Sequence, residues 1–183
     1  TISPTIDQVE FLDHNVDICR VENVTFSPDC WINSGLSSAK DHYYLTRYIY
    51  ENATAFQFER VDWTYISDIA AKGYHTAFKT CKPTMRKAEE SANGHVYGVD
   101  FQDCYIGIDA DFVNVIGMMF TKGKIAAEIP LRTSGEFSAE ISFNRIDFQT
   151  EKDTAVVLEG NGVVSLEQCT LSAGTTGGML SGG

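Results

Sequence analysis

The stretch Asn93–Gly123, NGHVYGVDFQDCYIGIDADFVNVIGMMFTKG, holds one short pattern twice: apolar, any, apolar, two residues, apolar, any, large apolar. Gly94, Val96, Val99 and Phe101 fit it with glycine as the small exception, and Val113, Val115, Met118 and Phe120 fit it again. Upstream lie Cys19, Val21, Val24 and Phe26, then Phe56, Phe58, Val61 and Trp63; downstream lie Ile141, Phe143, Ile146 and Phe148, then Val164, Leu166, Cys169 and Leu171. Four apolar positions alone would fall into place in about six windows of a chain this apolar, so a bare count decides nothing. The columns carry more. The second reads Val, Phe, Val, Val, Phe, Leu and the fourth Phe, Trp, Phe, Phe, Phe, Leu, strand formers sorted by size.

The period-2 pairs read as two short strands with alternate side chains inward, joined by two residues at which the backbone bends. The second bend position is filled by Asn23, Arg60, Gly98, Gly117, Arg145 and Gln168. Asn and Gly accept a left-handed backbone cheaply, whereas Arg60, Arg145 and Gln168 do not suit it. The last three copies recur at intervals of 19, 28 and 23 residues, about one coil each, and the earlier ones at longer intervals that imply insertions. The expectation is an all-β chain, a right-handed parallel β-helix (solenoid) of about six coils, with two loop excursions and one short helix. Its rungs would lie roughly 4.8 Å apart. An antiparallel β-sandwich of short strands is the competing arrangement. The third strand of the later coils is expected at 126–132, 154–159 and 176–180.

With 183 residues the chain is expected to be one domain large enough to bury a core. Residues 1–17 read as an edge coil or cap and 174–183 as a Gly-rich tail. The opening at Thr1 rather than Met suggests a mature form or a fragment of a longer chain. A net charge of −11 argues against nucleic acid and anionic membrane surfaces as partners. No apolar run approaches membrane-spanning length. The five cysteines have no metal-ligand spacing, and a disulfide framework is not expected.

The first excursion, 27–53, is rich in aromatics. Trp31, Tyr43, Tyr44 and Tyr48 present flat apolar faces with polar tips, suited to stacking on sugar rings or to packing the loop down. The second, 72–94, has Pro83 ahead of a short helical pattern and gathers Lys72, Lys79, Lys82, Arg86 and Lys87. That basic segment suits a solvated helix face or the recognition of acidic sugars. His75 and His95 read as structural.

Two acidic constellations stand out. Asp62, Asp100 and Asp147 share the outward position before the fourth column, and neighbouring carboxylates there would lie roughly 5 Å apart. In Asp103–Asp111, Asp109 and Asp111 face outward on one strand, separated by roughly 6.6 Å, about the spacing an inverting glycosidase needs for its water.

The recurring V-x-x-V-x-F and the intervening Y-I-G-I-D resemble the pectate-lyase-like right-handed parallel β-helix proteins, including polygalacturonase-type glycoside hydrolases and phage tailspike depolymerases. The resemblance covers residues 18 to 180. Asp103-Cys104-Tyr105-Ile106-Gly107-Ile108 is similar to the D-D-C-I-A-I segment of polygalacturonases, with Gln102 in place of the first Asp and one residue inserted; their N-T-D, later G-H-G and R-I-K motifs are absent. The resemblance implies an extracellular protein, secreted or on a virion, that binds and cleaves a polysaccharide as a glycoside hydrolase or lyase. Asp109, Asp111, Asp100 and Asp103 are then the acid–base candidates, and Trp31, Tyr43, Tyr44, Tyr48 and Arg60 the substrate-binding ones. No cofactor is expected for hydrolysis; a calcium-dependent lyase is the alternative, with Arg60, Arg145 or the basic segment supplying the base. The rival function is a non-catalytic attachment module, part of a homotrimeric phage fibre or an adhesin.

Overall fold

The computed structural model describes residues 9–11, 19–35, 38–83, 91–173 and 180–182. Every pairing between described strands is parallel. The strands form two runs, visited alternately by the chain. One run comprises β2 (Arg20–Glu22) and β3 (Thr25–Phe26), β5 (Thr64–Lys72), the first half of β7 (Gly94–Ala110), the first half of β8 (Met118–Thr133), β9 (Glu140–Gln149), and β11 (Val163–Glu167) with β12 (Thr170–Ser172). The other comprises β1 (Val9–Phe11), β4 (Thr54–Phe58), β6 (Thr76–Thr80), the second halves of β7 and β8, β10 (Val156–Leu158) and β13 (Leu180–Gly182). The later strands expected at 126–132 and 154–159 are present; of 176–180, only Leu180 lies among the described residues.

Register orders the columns. Val21, Ile66, Val96, Phe120, Phe143 and Leu166 succeed one another on neighbouring strands. So do Phe26, Ala71, Phe101, Ile125, Phe148 and Leu171. The copies beginning at Cys19, Gly94, Ile141 and Val164 are therefore in frame. The other two are not. The copy read at Phe56–Trp63 belongs at Thr64, Ile66, Ile69 and Ala71, and the copy read at Val113–Phe120 belongs at Met118, Phe120, Gly123 and Ile125. Trp63, expected inward, is exposed. Gly123 breaks the apolar pattern for a steric reason: a Cβ there would lie 2.3 Å from the Val99 carbonyl oxygen of the adjoining strand.

In the correct frame the second bend position is left-handed in all six repeats, at Asn23, Asp68, Gly98, Lys122, Arg145 and Gln168, with φ between 52° and 74°. That conformation costs a non-glycine residue about 1–2 kcal/mol. Neighbouring strands support it: Arg145 donates from Nε to Gln168 Oε1 at 2.8 Å, and Asn144 donates to Glu167 at 2.7 Å. From Asn23 the bends recur at steps of 45, 30, 24, 23 and 23 residues. Between the bends the interior is packed with fully buried rings. Phe58 stacks on Phe78 at 5.0 Å, and Phe120 on Phe143 at 5.2 Å.

The first excursion is helical rather than a loop. In α1 (Pro28–Ile32), Pro28 occupies the first turn and the Ser27 side chain accepts from the Asp29 amide at 3.1 Å. In α2 (Ala39–Asn52), Ser38 and Asp41 form a reciprocal capping box. Ser38-Ala39-Lys40-Asp41 carries the capping signal at the head of this aromatic-rich segment. Only Ile49 of α2 is buried; its carbonyl accepts from the His75 amide at 3.1 Å, joining the helix end to β6. The short helix expected after Pro83 falls on residues outside the described set, as do most of the cap expected at 1–17 and most of the tail.

Candidate functional site

Phe78, Ile108 and Leu131, paired in register on β6, β7 and β8, belong to the core. One residue on, alternation turns Lys79, Asp109 and Arg132 to the opposite face, again side by side. Arg132 donates from Nε to Asp109 Oδ1 at 3.0 Å and from Nη2 to Oδ2 at 2.8 Å, while Lys79 Nζ lies 3.8 Å from Oδ2. The Asp109 side chain is 3% exposed and that of Arg132 39%. This fork raises the guanidinium's proton affinity further, and its outer edge stays in solvent.

His75, just before β6, extends this face. Its Nδ1 is 3.1 Å from Thr76 Oγ1, and its ring lies 5.0 Å from that of Tyr105. Burial and then the Arg132 charge hold the imidazole below its ordinary pKa, with Asp109 opposing and Lys79 adding to the lowering. That direction favours the uncharged ring, the form that can accept a proton. Tyr105 also meets the ring of Tyr50 from α2, at 6.5 Å, and the Tyr50 hydroxyl donates to Glu128 Oε1 at 2.5 Å. Burial and the Glu128 bond push the Tyr50 phenol up. Glu128 is pulled down by the Tyr50 bond and by Lys152, whose Nζ is 3.2 Å from Oε2. A groove of about 610 Å³ opens beside this cluster, lined among others by Tyr50, Asp103, Glu128, Gln149 and Lys152.

The acid–base candidates are thus dispersed. Asp109 has both oxygens engaged by Arg132. Asp111 lies beyond the end of β7, half-buried, so the expected pair on one strand does not form. Asp103 occupies a left-handed position where the β7–β8 register shifts, and it reaches the groove. Asp100 sits on the other run of strands, between Ala70 and Lys124 in register, and accepts from Gln102 at 2.8 Å. Asp62 is not its neighbour, because Ala70 and Lys124 flank Asp100 in register, and Asp62 instead accepts from Asn93 Nδ2 at 3.1 Å. Among the aromatic candidates, Tyr43, Tyr44 and Tyr48 are exposed along α2, with the Tyr43 and Tyr44 rings 5.6 Å apart; Trp31 is half-buried on α1, and Arg60 is half-buried just after β4.

Nothing in the local sequence marks His75, Tyr105, Arg132, Glu128 and Tyr50 as a group. The one signal near them is opposite charge at equal register in Lys79, Asp109 and Arg132, which appears only once the strands are aligned. Among the described residues no three His, Cys, Asp or Glu side chains converge to hold a metal ion, and no helix is long and apolar enough to cross a membrane. No family model, curated protein or solved structure matches the chain.

Proposed function

We propose that this chain is a stretch of right-handed parallel β-helix of the pectate-lyase-like kind, acting outside the cell, that binds a polysaccharide across the His75–Tyr105–Arg132 face and cleaves it. All-parallel pairing, a left-handed bend at one position in six repeats and a step settling at 23–24 residues support the architecture. The observation that carries the function is the adjacency of an imidazole, an aromatic ring and two cations on one solvent-reaching face.

That chemistry favours elimination over hydrolysis. Arg132 and Lys79 hold the carboxylate of an acidic sugar and stabilise the negative charge that develops when the adjacent carbon loses its proton. His75 takes that proton. The carbon–oxygen bond to the leaving sugar breaks as the ring double bond forms, and the leaving oxygen takes its proton from solvent water at this open face. Asp109 positions Arg132, and Glu128 is held ionised by Tyr50 and Lys152, so neither carboxylate is a ready proton donor. Asp103 is the candidate that keeps a hydrolytic route open.

Incubation with acidic and neutral polysaccharides, with calcium supplied or chelated, tests this. New reducing ends together with the ultraviolet absorbance of an unsaturated uronate support elimination, and His75→Gln and Lys79→Met should then remove turnover. Reducing ends without that absorbance turn the assignment to a hydrolase. Neither signal, with glycan binding retained, makes the chain an attachment module.

A further inference from the structure

We infer that the outer face of the β2–β5–β7–β8 run is a second carbohydrate-binding surface, shaped for a neutral sugar chain. It stands apart from the His75–Arg132 face and does not rest on the elimination chemistry. Alternation around the core residues Val21, Ile66, Val96 and Phe120 turns two rows outward. One reads Arg20, Tyr65, His95, Met119 and Ser142, and the other Glu22, Ser67, Tyr97 and Thr121. Trp63, left-handed at φ 51°, joins them from just before β5, its amide fixed by Asn93 Oδ1 at 2.8 Å. These rings are large and unusually open for a sheet: Trp63 is 48% exposed, Tyr65 49% and Tyr97 43%.

Two hollows, of about 270 and 400 Å³, meet at Tyr65 and His95. Arg20, Glu22 and Ser67 line the first, and Trp63, Met119 and Glu140 the second. Exposed ring faces offer stacking for the apolar faces of sugars. Donors and acceptors beside them, including His95 with its Nε2 2.8 Å from Thr121 Oγ1, suit hydroxyl groups. Charge selects the occupant. A polyanion would meet the carboxylates of Glu22 and Glu140, one in each hollow. An apolar protein face would desolvate Arg20, Glu22 and His95 without giving them partners. A neutral polyol avoids both costs. The Lys122 ammonium, 5.7 Å from the Tyr97 ring centre, shows that one ring here already engages a cation–π contact, so Trp63 and Tyr65 are the principal platform.

The test uses Trp63 as its own reporter, since Trp31 is the other tryptophan in the chain. Titration with cello-, xylo- and laminari-oligosaccharides should change tryptophan emission with at least one series, and Trp63→Phe should abolish the change. Tyr65→Ala should weaken binding roughly three- to tenfold, the loss of one ring contact. Its melting temperature should be unaltered, because Tyr65 is exposed. Lys79→Met, on the other face, should leave this binding intact even where it removes turnover. The inference is overturned if no neutral series shifts the emission, or if polygalacturonate alone binds and Lys79→Met abolishes that binding. It is equally overturned if sedimentation shows a dimer that Tyr65→Ala disperses, which would make this face a contact between copies.

Discussion

Arg132 meets Asp109 from the neighbouring strand through two parallel hydrogen bonds of 3.0 and 2.8 Å, and the two partners are unequally buried. Removing either therefore has different consequences. Arg132→Met leaves a buried carboxylate with Lys79 at 3.8 Å and should cost about 3 kcal/mol. Asp109→Asn leaves a guanidinium that can turn to solvent and should cost about 1–2 kcal/mol. Urea unfolding midpoints check the order; the reverse order would mean that the carboxylate is not the group the pair protects.

The bend column makes a second prediction. At Gly98, φ is 74° and a Cβ would lie 2.6 Å from Asp68 Oδ1, so Gly98→Ala should destabilise by about 1–2 kcal/mol. Lys122→Gly relieves left-handed strain of about 1 kcal/mol but adds about 0.5–1 kcal/mol of unfolded-chain entropy. Its thermal midpoint should stay level or rise slightly. A marked fall in Lys122→Gly would show that the lysine side chain, rather than the backbone, holds the bend.

Thiol chemistry separates the cysteines. Cys30 is exposed, whereas burial pushes the Cys81 and Cys104 thiols up to about 11. Alkylation of the native protein at neutral pH, followed by peptide mass mapping, should label Cys30 within minutes and leave Cys81 and Cys104 unmodified until denaturant is added. Early labelling of Cys104 would place it in a segment that opens locally.

His75 sets a pH dependence. Its folded-state pKa is depressed below the ordinary 6.5, so as pH falls through that value the unfolded chain takes up the proton first. Stability should therefore decline from pH 6.5 downward until the folded form also protonates. His75→Gln should flatten the melting temperature in that window while leaving the carboxylate-driven fall at lower pH. If His75 is the base, the acid limb of turnover should also lie below the ordinary imidazole range. An unchanged stability profile in His75→Gln would contradict the burial that lowers this group.

Much of the architecture is written locally. The pairs around Val21, Val96, Phe143 and Leu166 are strand segments by their own period, and the intervening bend is recognisable at Asn23 and Gly98, where the residue accepts the left-handed backbone cheaply. The side chains of Arg145 and Gln168 resist that conformation, and the hydrogen bond between them on adjoining strands supports it; Lys122 goes unmarked because its copy is misplaced. The two misplaced copies have one cause. Thr64, Ala71 and Gly123 occupy inward positions with too little apolar volume to mark the frame, so nearby apolar runs took their place.

Repeated strand–bend–strand units with a sorted aromatic interior follow from local sequence, because side-chain alternation and bend geometry act over a few residues. Which units lie side by side follows only from long-range pairing. Parallel pairing across 23 to 45 residues sets the register that joins Lys79, Asp109 and Arg132, lays Tyr65 beside His95, and brings Tyr50 of α2 onto Glu128. Those contacts depend on the lengths of the connections and on the packing of α2, neither of which leaves a local mark at the residues that meet.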